Sequence, residues 1–338
     1  MHELLQRSPC WLFPNMNSTF SEDFKYILLP VCYGLVFLVG LVLNSMVLYN
    51  MLFRTKRWKP TTIYMVNLTL CDTLYIFTLP FLIYYYTAAN NWPFGEPVCK
   101  LIRFLFYTNL YGSILFLCCI SLHRFLGICF PLRSLSWVSS RRARLVSACV
   151  WTVVLVVQSP VLYFSRMNVS GVARTCYDTT SEDLFNDFMV YSTIVMVLLF
   201  ALPFLVVMAC YSLMVRKLLE PGDAASARFK QKSVKMIVIV LATFMLCFLP
   251  FHLTRTVYYS FRFTQVNCTQ VQVSSITYKV TRPLASANSC LDPILYFMAG
   301  QGFRSNPTKK EPKVYAFVGK IMCCCTQSNI ESHLVAFE

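Results

Sequence analysis

The chain has 338 residues, of which 57% are hydrophobic and 13% are charged, with a net charge of +15 at pH 7 and a mean hydropathy of +0.55. A soluble domain usually has about 25% charged residues, so this composition argues against a soluble fold and favours a bilayer as solvent. The positive charge by itself would suit nucleic-acid binding. That class is excluded if the cations lie in loops on one side of a membrane, where they set topology instead.

Seven apolar segments follow one another along the chain. A helix of roughly 20 apolar residues crosses a hydrocarbon core of about 30 Å. The segments are predicted at about 26–53, 60–87, 97–129, 144–165, 188–218, 232–262 and 272–299. Several contain proline, which membrane helices tolerate because neighbouring groups satisfy the freed carbonyls. The sequence therefore predicts an all-α membrane protein with a seven-helix bundle over 26–300, preceded by a segment at 1–25 and followed by a tail at 301–338.

Basic residues concentrate in the loops after the first, third and fifth segments and in the tail. By the positive-inside rule these parts are cytoplasmic, so the N-terminus and the remaining loops are predicted to be extracellular. The glycosylation sequons at Asn17, Asn168 and Asn267 all fall on that predicted outer side. A fourth sequon, at Asn67, lies inside the second segment and is not expected to be used.

Nine of the sixteen cysteines lie inside the apolar segments, where they act as small hydrophobic residues. Cys10, Cys99, Cys176 and Cys268 lie on the predicted outer, oxidising side. These four allow three pairings, of which Cys99 with Cys176 is favoured. No pair of cysteines with zinc-binding spacing occurs in the segments or loops, so a zinc site is not expected.

One set of residues per predicted helix, in chain order, carries a family resemblance. The set comprises Asn44, Asp72, His123-Arg124-Phe125, Trp151, Pro203 with Tyr211, Cys247-Phe248-Leu249-Pro250, and Asp292-Pro293-Ile294-Leu295-Tyr296. In this arrangement the chain resembles the rhodopsin-like G-protein-coupled receptors. The strings at 103–111, 251–255 and 278–286 are similar to those of the metabotropic purinoceptors, and the branch that answers UTP and ATP looks nearest. The resemblance covers about 24–302.

The resemblance implies a multi-pass receptor of the plasma membrane without enzymatic activity. Its implied ligand is an extracellular nucleotide. The implied partners are a heterotrimeric G protein of the class that activates phospholipase C and calcium release, together with arrestin and receptor kinases. No nucleic-acid partner is expected, and no catalytic arrangement of residues occurs, since the four histidines are scattered along the chain.

Cations lie within the predicted outer thirds of the third, sixth and seventh helices. A charge at the bilayer centre costs about 2.5–3.5 kcal/mol on insertion scales, so these cations are expected to face the bundle interior. The same stretches contain no acid, so the pocket favours a multiply charged anion such as a nucleotide. The alternative is that each cation reaches lipid headgroups or pairs with a loop acid. The predicted ligand-binding residues are Arg103, Phe106, Tyr107, Tyr111, Asp178, His252, Arg255, Tyr258, Lys279 and Arg282.

Two further sites are expected from the resemblance. A sodium site midway through the bundle is assigned to Asp72, Ser113, Asn288, Ser289 and Asp292, with a structural hydrogen-bond network as the alternative. Apart from this ion, no cofactor is expected. A G-protein-coupling surface is assigned to Arg124, Leu132, Tyr211 and Tyr296. Because His123 stands where the family usually has an acid beside the arginine, the local restraint on Arg124 is expected to be weaker.

The remaining cysteines suggest two modifications. The resemblance implies a second disulfide between Cys268 and an N-terminal cysteine, and Cys10 is the candidate in this chain. The run Cys323, Cys324 and Cys325 suits S-palmitoylation, with ordinary free thiols as the alternative.

Two other functions compete with the nucleotide receptor. A receptor for another acidic ligand, either a lipid or a peptide, would use a similar cationic mouth. An organic-anion transporter would also carry cations inside the membrane, but such transporters usually show two similar halves, and this chain has no internal repeat.

Overall fold

The structure, a computed structural model, describes the backbone of residues 24–55, 58–170, 173–176, 180, 182–219, 224–264 and 266–298. It describes the side chains of the same residues except for 132, 135, 136, 168–170, 173, 182, 224–232 and 298. Within these ranges, seven long helices follow one another: α1, Lys25–Tyr49 with a π-helical turn Asn50–Arg54; α2, Pro60–Ile76 and Leu79–Thr87; α3, Gly95–Cys129; α4, Ser140–Gln158 and Pro160–Phe164; α5, Phe185–Met196, a π-helical turn Val197–Ala201, and Leu202–Leu219; α6, Ala224–Thr243, a π-helical turn Phe244–Phe248, and Leu249–Phe263; and α7, Cys268–Ser286 and Asn288–Met298.

Six of these helices, α1 to α6, are long and apolar enough to cross a membrane by length and composition. The seventh is more polar because it begins with threonine, glutamine and serine residues and carries Lys279 and Arg282. It packs against α1 and α6, and its second part also contacts α2, so it closes the bundle. The prediction of an all-α seven-helix membrane protein is therefore confirmed.

The polarity of the bundle is the reverse of that of a soluble protein. Large apolar side chains face outward along the spans, as Ile27, Leu38 and Leu205 do with 73%, 62% and 64% of their surface exposed. Asp72 and Ser289 are fully buried in the interior. Lipid accepts apolar surface, whereas charged and polar groups within a span are stable only where they face one another. This arrangement is the one that the composition predicted.

Prolines coincide with irregularities in four of the helices, as proline removes a backbone donor. The break in α4 precedes Pro160, and the hydroxyl of Ser159 donates to the carbonyl of Val156 at 2.8 Å, the carbonyl that Pro160 leaves free. In α2 the hydroxyl of Thr78 donates to the carbonyl of Tyr75 at 2.7 Å next to the break. The π-helical turns of α5 and α6 immediately precede Leu202-Pro203 and Leu249-Pro250.

A two-stranded hairpin joins α4 to α5. Strands β1 (Met167–Ser170) and β2 (Ala173–Cys176) are antiparallel, with Met167 opposite Cys176. The backbone N–H of Trp92 donates to the carbonyl of Arg174 at 2.7 Å, which connects the hairpin to the loop after α2. A disulfide between Cys99 and Cys176 fastens β2 to the first turns of α3, as predicted.

Several helices extend beyond their apolar segments. The apolar segment predicted at 97–129 is a helix from Gly95, the one at 232–262 begins at Ala224, and the one at 272–299 begins at Cys268. Hydrophobicity marks only the part of a helix that lies in hydrocarbon, whereas its backbone hydrogen bonds continue into the polar boundary. The segment boundaries were therefore too short at these ends.

Candidate ligand-binding site

Three arginines from three helices lie inside the bundle at the end that carries the disulfide. Arg103 of α3, Arg255 of α6 and Arg282 of α7 are 3%, 5% and 3% exposed. The guanidinium Nη2 of Arg103 donates to the carbonyl of Cys176 at 3.5 Å, so the cluster lies directly beneath the hairpin. The prediction that these cations face the interior rather than lipid holds for all three.

The surroundings of Arg255 are aromatic. Its Nη1 donates to the hydroxyl of Tyr111 at 3.0 Å. Its guanidinium carbon lies 4.8 Å from the centre of the Tyr107 ring and 5.3 Å from that of Tyr259. Its Nε is buried without a hydrogen-bond partner, and no carboxylate pairs with it among the residues that the structure describes. Cation–π contacts stabilise a guanidinium but do not neutralise its charge.

Arg282 occupies a similar aromatic environment on the α7 side. Its guanidinium carbon is 5.4 Å from the ring centre of Phe106 and 5.8 Å from that of Tyr278. The ring of Tyr278 stacks on that of Tyr258 with centres 5.6 Å apart and 10° between the planes. Arg282 also has further partners, as do Arg103 and Lys279. The half-buried Lys279 follows Tyr278 in the sequence and lies at the edge of the cluster.

His252 lies one helical turn before Arg255 and only partly meets its prediction. Its ring stacks almost parallel on that of Phe200, with centres 3.9 Å apart and 3° between the planes. Its Nδ1 hydrogen-bonds with the carbonyl of Phe248 at 2.8 Å. It contacts the cluster edge-on through Tyr111, at 5.7 Å between ring centres. The residue therefore connects α5 and α6 as well as lying below the cationic site.

The structure brings together nine of the ten predicted ligand-binding residues, since Asp178 lies outside the described residues. Three aromatic residues of the site were missed: Phe251, Tyr259 and Tyr278. Tyr259 follows Arg255 by four residues and Tyr278 precedes Arg282 by four, so each lies one turn away on the same helical face. That spacing was the available signal.

A polar network lies midway through the bundle. Oδ1 of Asp72 accepts hydrogen bonds from Ser289 at 2.9 Å and from Asn109 at 3.3 Å, and the amide oxygen of Asn109 accepts one from Ser113 at 3.3 Å. Oδ2 of Asp72 and both carboxylate oxygens of Asp292 are buried without a hydrogen-bond partner among the described residues. Two such carboxylates require a proton or a cation, so the donor set fits a monovalent metal ion.

Asn109 was missed in this network. It lies four residues before Ser113 in α3, one turn away on the same face, and its amide donates both to Asp72 and to Ser289, the latter at 3.1 Å. Its polar side chain inside an apolar segment was the signal. Asn288 is also buried, with its amide oxygen 3.5 Å from the hydroxyl of Ser289.

The opposite end of the bundle carries the residues predicted to couple to a G protein. Arg124 forms no ion pair and its Nε has no hydrogen-bond partner within the described part of the chain. The hydroxyl of Tyr211 is 2.6 Å from that of Ser121, and Nδ1 of His123 is 3.3 Å from the hydroxyl of Thr61. His123 is thus turned to α2 and does not restrain its neighbour.

The other two coupling residues lie on either side of this region. Tyr296 of α7 is buried, with its ring against that of Phe297. Leu132 lies in a short helix, Pro131–Trp137, that follows α3, but its side chain lies outside the described residues.

The modification sites have mixed outcomes. Cys268 is disulfide-bonded, and because every other described cysteine outside the Cys99–Cys176 bridge is free, its partner lies outside the described residues. Cys10 therefore stays a prediction. Asn267 is exposed immediately before α7, whereas Asn17 and the side chain of Asn168 lie outside the described residues, as do Cys323, Cys324 and Cys325. Asn67 accepts a hydrogen bond from the indole of Trp151 at 2.9 Å.

Comparison with known proteins agrees with this geometry. A family model described as "7 transmembrane receptor (rhodopsin family)" matches residues 43–296. The chain thus has the fold of a seven-transmembrane receptor, and with its membrane-spanning helices it is a multi-pass protein of the plasma membrane.

Individual relatives, all of them metabotropic purinoceptors, define the family more closely. Purinoceptor 2 of Rattus norvegicus is 55% identical over 284 residues, which cover 83% of this chain and 76% of the relative. Purinoceptor 4 of Rattus norvegicus is 50% identical over 287 residues, covering 85% and 80%. Purinoceptor 1 of Cavia porcellus is 42% identical over 294 residues, covering 85% and 79%. The chain belongs to the metabotropic purinoceptor family of rhodopsin-like receptors, which confirms the resemblance.

Proposed function

We propose that this protein is a G-protein-coupled receptor for extracellular nucleotides, with UTP and ATP as its agonists. The observation that carries the proposal is Arg255, a buried guanidinium that has aromatic neighbours but no carboxylate partner among the described residues. A buried, unneutralised cation is costly unless a binding partner supplies the opposite charge. A nucleotide phosphate supplies that charge.

The three arginines divide the recognition of the phosphates. Arg255 and Arg282 have planar forks suited to bidentate contacts with phosphate oxygens, and Arg103 reaches the same region from α3. Their aromatic neighbours provide ring faces and hydroxyls for the base and ribose. Those with buried hydroxyls that lack a hydrogen-bond partner in the described residues are Tyr107, Tyr259 and Tyr278. Lys279 and Asp178 adjust the charge at the rim.

Binding favours the active state because it bridges three helices. Phosphate contacts draw α6 and α7 towards α3, and the π-helical turn before Pro250 allows α6 to pivot. The far ends of the helices then separate around Arg124 and expose the coupling residues Leu132, Tyr211 and Tyr296. Such a population shift requires only that the active state bind the nucleotide more tightly.

The cytoplasmic partners follow from the family. The G protein is of the class that activates phospholipase C and raises cytosolic calcium, and arrestin and receptor kinases end the signal. The end with Cys99 and the hairpin then lies outside the cell, which the positive-inside rule and the two oxidised cysteines Cys176 and Cys268 favour. Nucleotide leaves the receptor chemically unchanged, because the protein is a receptor and not an enzyme.

A sodium ion occupies the mid-bundle network in the inactive state, held by the carboxylates of Asp72 and Asp292 with Ser113, Asn288 and Ser289 around them. The support for this site is the set of carboxylate oxygens that have no hydrogen-bond partner among the described residues. Replacing external sodium with a large organic cation should raise agonist affinity in the natural receptor. The Asp72→Asn variant should lose this sodium effect, and a sodium effect of unchanged size in that variant would contradict the site.

The proposed function is tested by agonist profiling. Cells without their own nucleotide response are given the receptor, and cytosolic calcium is recorded with ATP, UTP, ADP and UDP, with and without a phospholipase C inhibitor. UTP and ATP should produce a saturable, inhibitor-sensitive response. Silence towards all four nucleotides, with the receptor at the cell surface and responding to an acidic lipid or peptide, would replace the proposed ligand. Uptake of labelled nucleotide into vesicles would instead indicate a transporter.

A further inference from the structure

A small crevice lies between α5 and α6, on the side of Arg255 that faces α5. Its volume is about 30 Å³, and its walls include Met189, Ser192 and Met196 from α5 and Arg255, Tyr259 and Ser260 from α6. A space of this size accommodates about one water-sized species. It is far too small for a nucleotide, so it is distinct from the ligand site between α3, α6 and α7.

The crevice is lined with hydrogen-bond donors that have no protein acceptor. Nε of Arg255 and the hydroxyl of Tyr259 are buried without a hydrogen-bond partner among the described residues, and the two side chains are 5% and 4% exposed. The hydroxyls of Ser192 and Ser260 also make no hydrogen bond within the described part of the chain.

The two threonines of the crevice differ from these four residues. Thr193 donates to the carbonyl of Met189 at 2.9 Å and Thr256 to that of His252 at 2.8 Å, so their hydroxyls are used within their own helices. No acidic side chain lines the crevice. Its chemistry therefore combines one fixed positive charge with three free hydroxyls.

We propose that this crevice binds a small monovalent anion, with chloride as the physiological occupant. Water would satisfy hydrogen-bond donors but would leave the charge of Arg255 uncompensated in a low-dielectric interior, where an unpaired charge is most costly. Chloride accepts several hydrogen bonds without a preferred direction, so it uses the guanidinium and the hydroxyls of Ser192, Tyr259 and Ser260 together. The receptor without nucleotide is thus neutralised by an ion.

Chloride in the crevice also bears on nucleotide binding, and this step rests on the proposed function. Both anions draw on the charge of Arg255, so a bound phosphate weakens chloride binding, and chloride weakens nucleotide binding by the same factor. Chloride is therefore a negative modulator of nucleotide potency.

The direct test needs no nucleotide. The purified receptor is unfolded thermally while chloride replaces gluconate at constant ionic strength and constant sodium concentration, and tryptophan fluorescence reports the midpoint. The midpoint should rise with chloride in a saturable manner by about 2 °C, because a ligand that binds only the folded state stabilises it. Bromide should act as chloride does, and sulfate, which is larger and divalent, should not.

Variants assign the effect to the crevice. The Ser192→Ala/Ser260→Ala double variant should lose most of the chloride-dependent rise while unfolding cooperatively near the gluconate midpoint of the natural receptor. Ser212→Ala is the matched control, since Ser212 lies in the same helix, is exposed and donates to the carbonyl of Met208 at 2.8 Å. It should retain the full chloride effect.

Clear outcomes overturn the proposal. A chloride-independent midpoint in the natural receptor would mean that water alone fills the crevice, and an undiminished rise in the double variant would place the ion elsewhere. If the double variant does not fold, the concentration of chloride that gives half the rise is compared in Ser192→Ala, Ser260→Ala and Tyr259→Phe, and each should need several-fold more. A receptor that ignores nucleotides but keeps the chloride effect would refute the proposed ligand and leave the anion site intact.

Discussion

The charge of Arg255 is the feature on which nucleotide recognition depends most. In the Arg255→Ala variant, the guanidinium that hydrogen-bonds Tyr111 and faces the rings of Tyr107 and Tyr259 is lost. A hydrogen bond to a charged group contributes about 1.5–3 kcal/mol. The loss should therefore raise the half-maximal concentration of UTP about 10- to 150-fold, at 1.4 kcal/mol per tenfold change.

Three measurements make this prediction specific. Calcium responses are recorded as full dose–response curves, with surface receptor quantified by an N-terminal epitope. Arg255→Lys keeps the charge but not the planar fork, so it should lose less potency than Arg255→Ala. Arg262→Ala is the control, because Arg262 lies in the last turn of the same helix, over the ring of Phe185 at 4.2 Å and away from the cluster. An unchanged UTP curve in Arg255→Ala at normal surface density would refute the assignment of the pocket.

Three other substitutions test particular contacts. Cys99→Ala opens a bridge across 77 residues, which should cost about 4 kcal/mol on the chain-entropy estimate and reduce surface expression and agonist binding together; normal levels of both would show that the bridge is dispensable. Trp151→Phe leaves the amide oxygen of Asn67 without its indole donor and should lower the unfolding midpoint by about 2–4 °C, with nucleotide potency unchanged; an unaltered midpoint would contradict this. His252→Phe keeps a ring to stack on Phe200, so potency should change less than threefold; a loss as large as that of Arg255→Ala would make His252 a direct ligand contact.

The comparison of sequence and structure is informative at the arginine cluster. The sequence indicated that Arg103, Arg255 and Arg282 face inward, because a cation within a span is unstable against lipid. It did not show that rings surround them, since the helix rotations that set Phe106 and Tyr278 beside Arg282 come from packing among α3, α6 and α7. Helical spacing by itself was too weak a signal to select Tyr278 from the many aromatic residues of the chain.

The mid-bundle network shows the same limit. Asp72, Ser289 and Asp292 were expected to meet, but the amide that joins two of them belongs to Asn109, which donates to both Asp72 and Ser289. A long-range hydrogen bond depends on where two helices cross. That crossing is a property of ridges and grooves along whole helices and is not encoded at any single position.

His252 illustrates how a correct helical face still leaves the role of a side chain open. Its three-residue spacing from Arg255 correctly placed both on the inner side of α6. The neighbouring helix α5 then supplied Phe200 from a π-helical turn, and the imidazole stacks there. Such a turn adds a residue to the helix and rotates the face beyond it, which no propensity of single residues anticipates.

The sequence by itself determined the class of the fold, the number of spans and the side chains that must avoid lipid. It could do so because a bilayer imposes a long apolar run on every span and a large penalty on every misplaced charge, and both are local and strong. The tertiary structure alone decided which rings enclose Arg255, which amide joins the carboxylates and where the crevice between α5 and α6 lies. Those features arise from helix rotations and crossings, where many weak packing contacts add up and no single residue dominates.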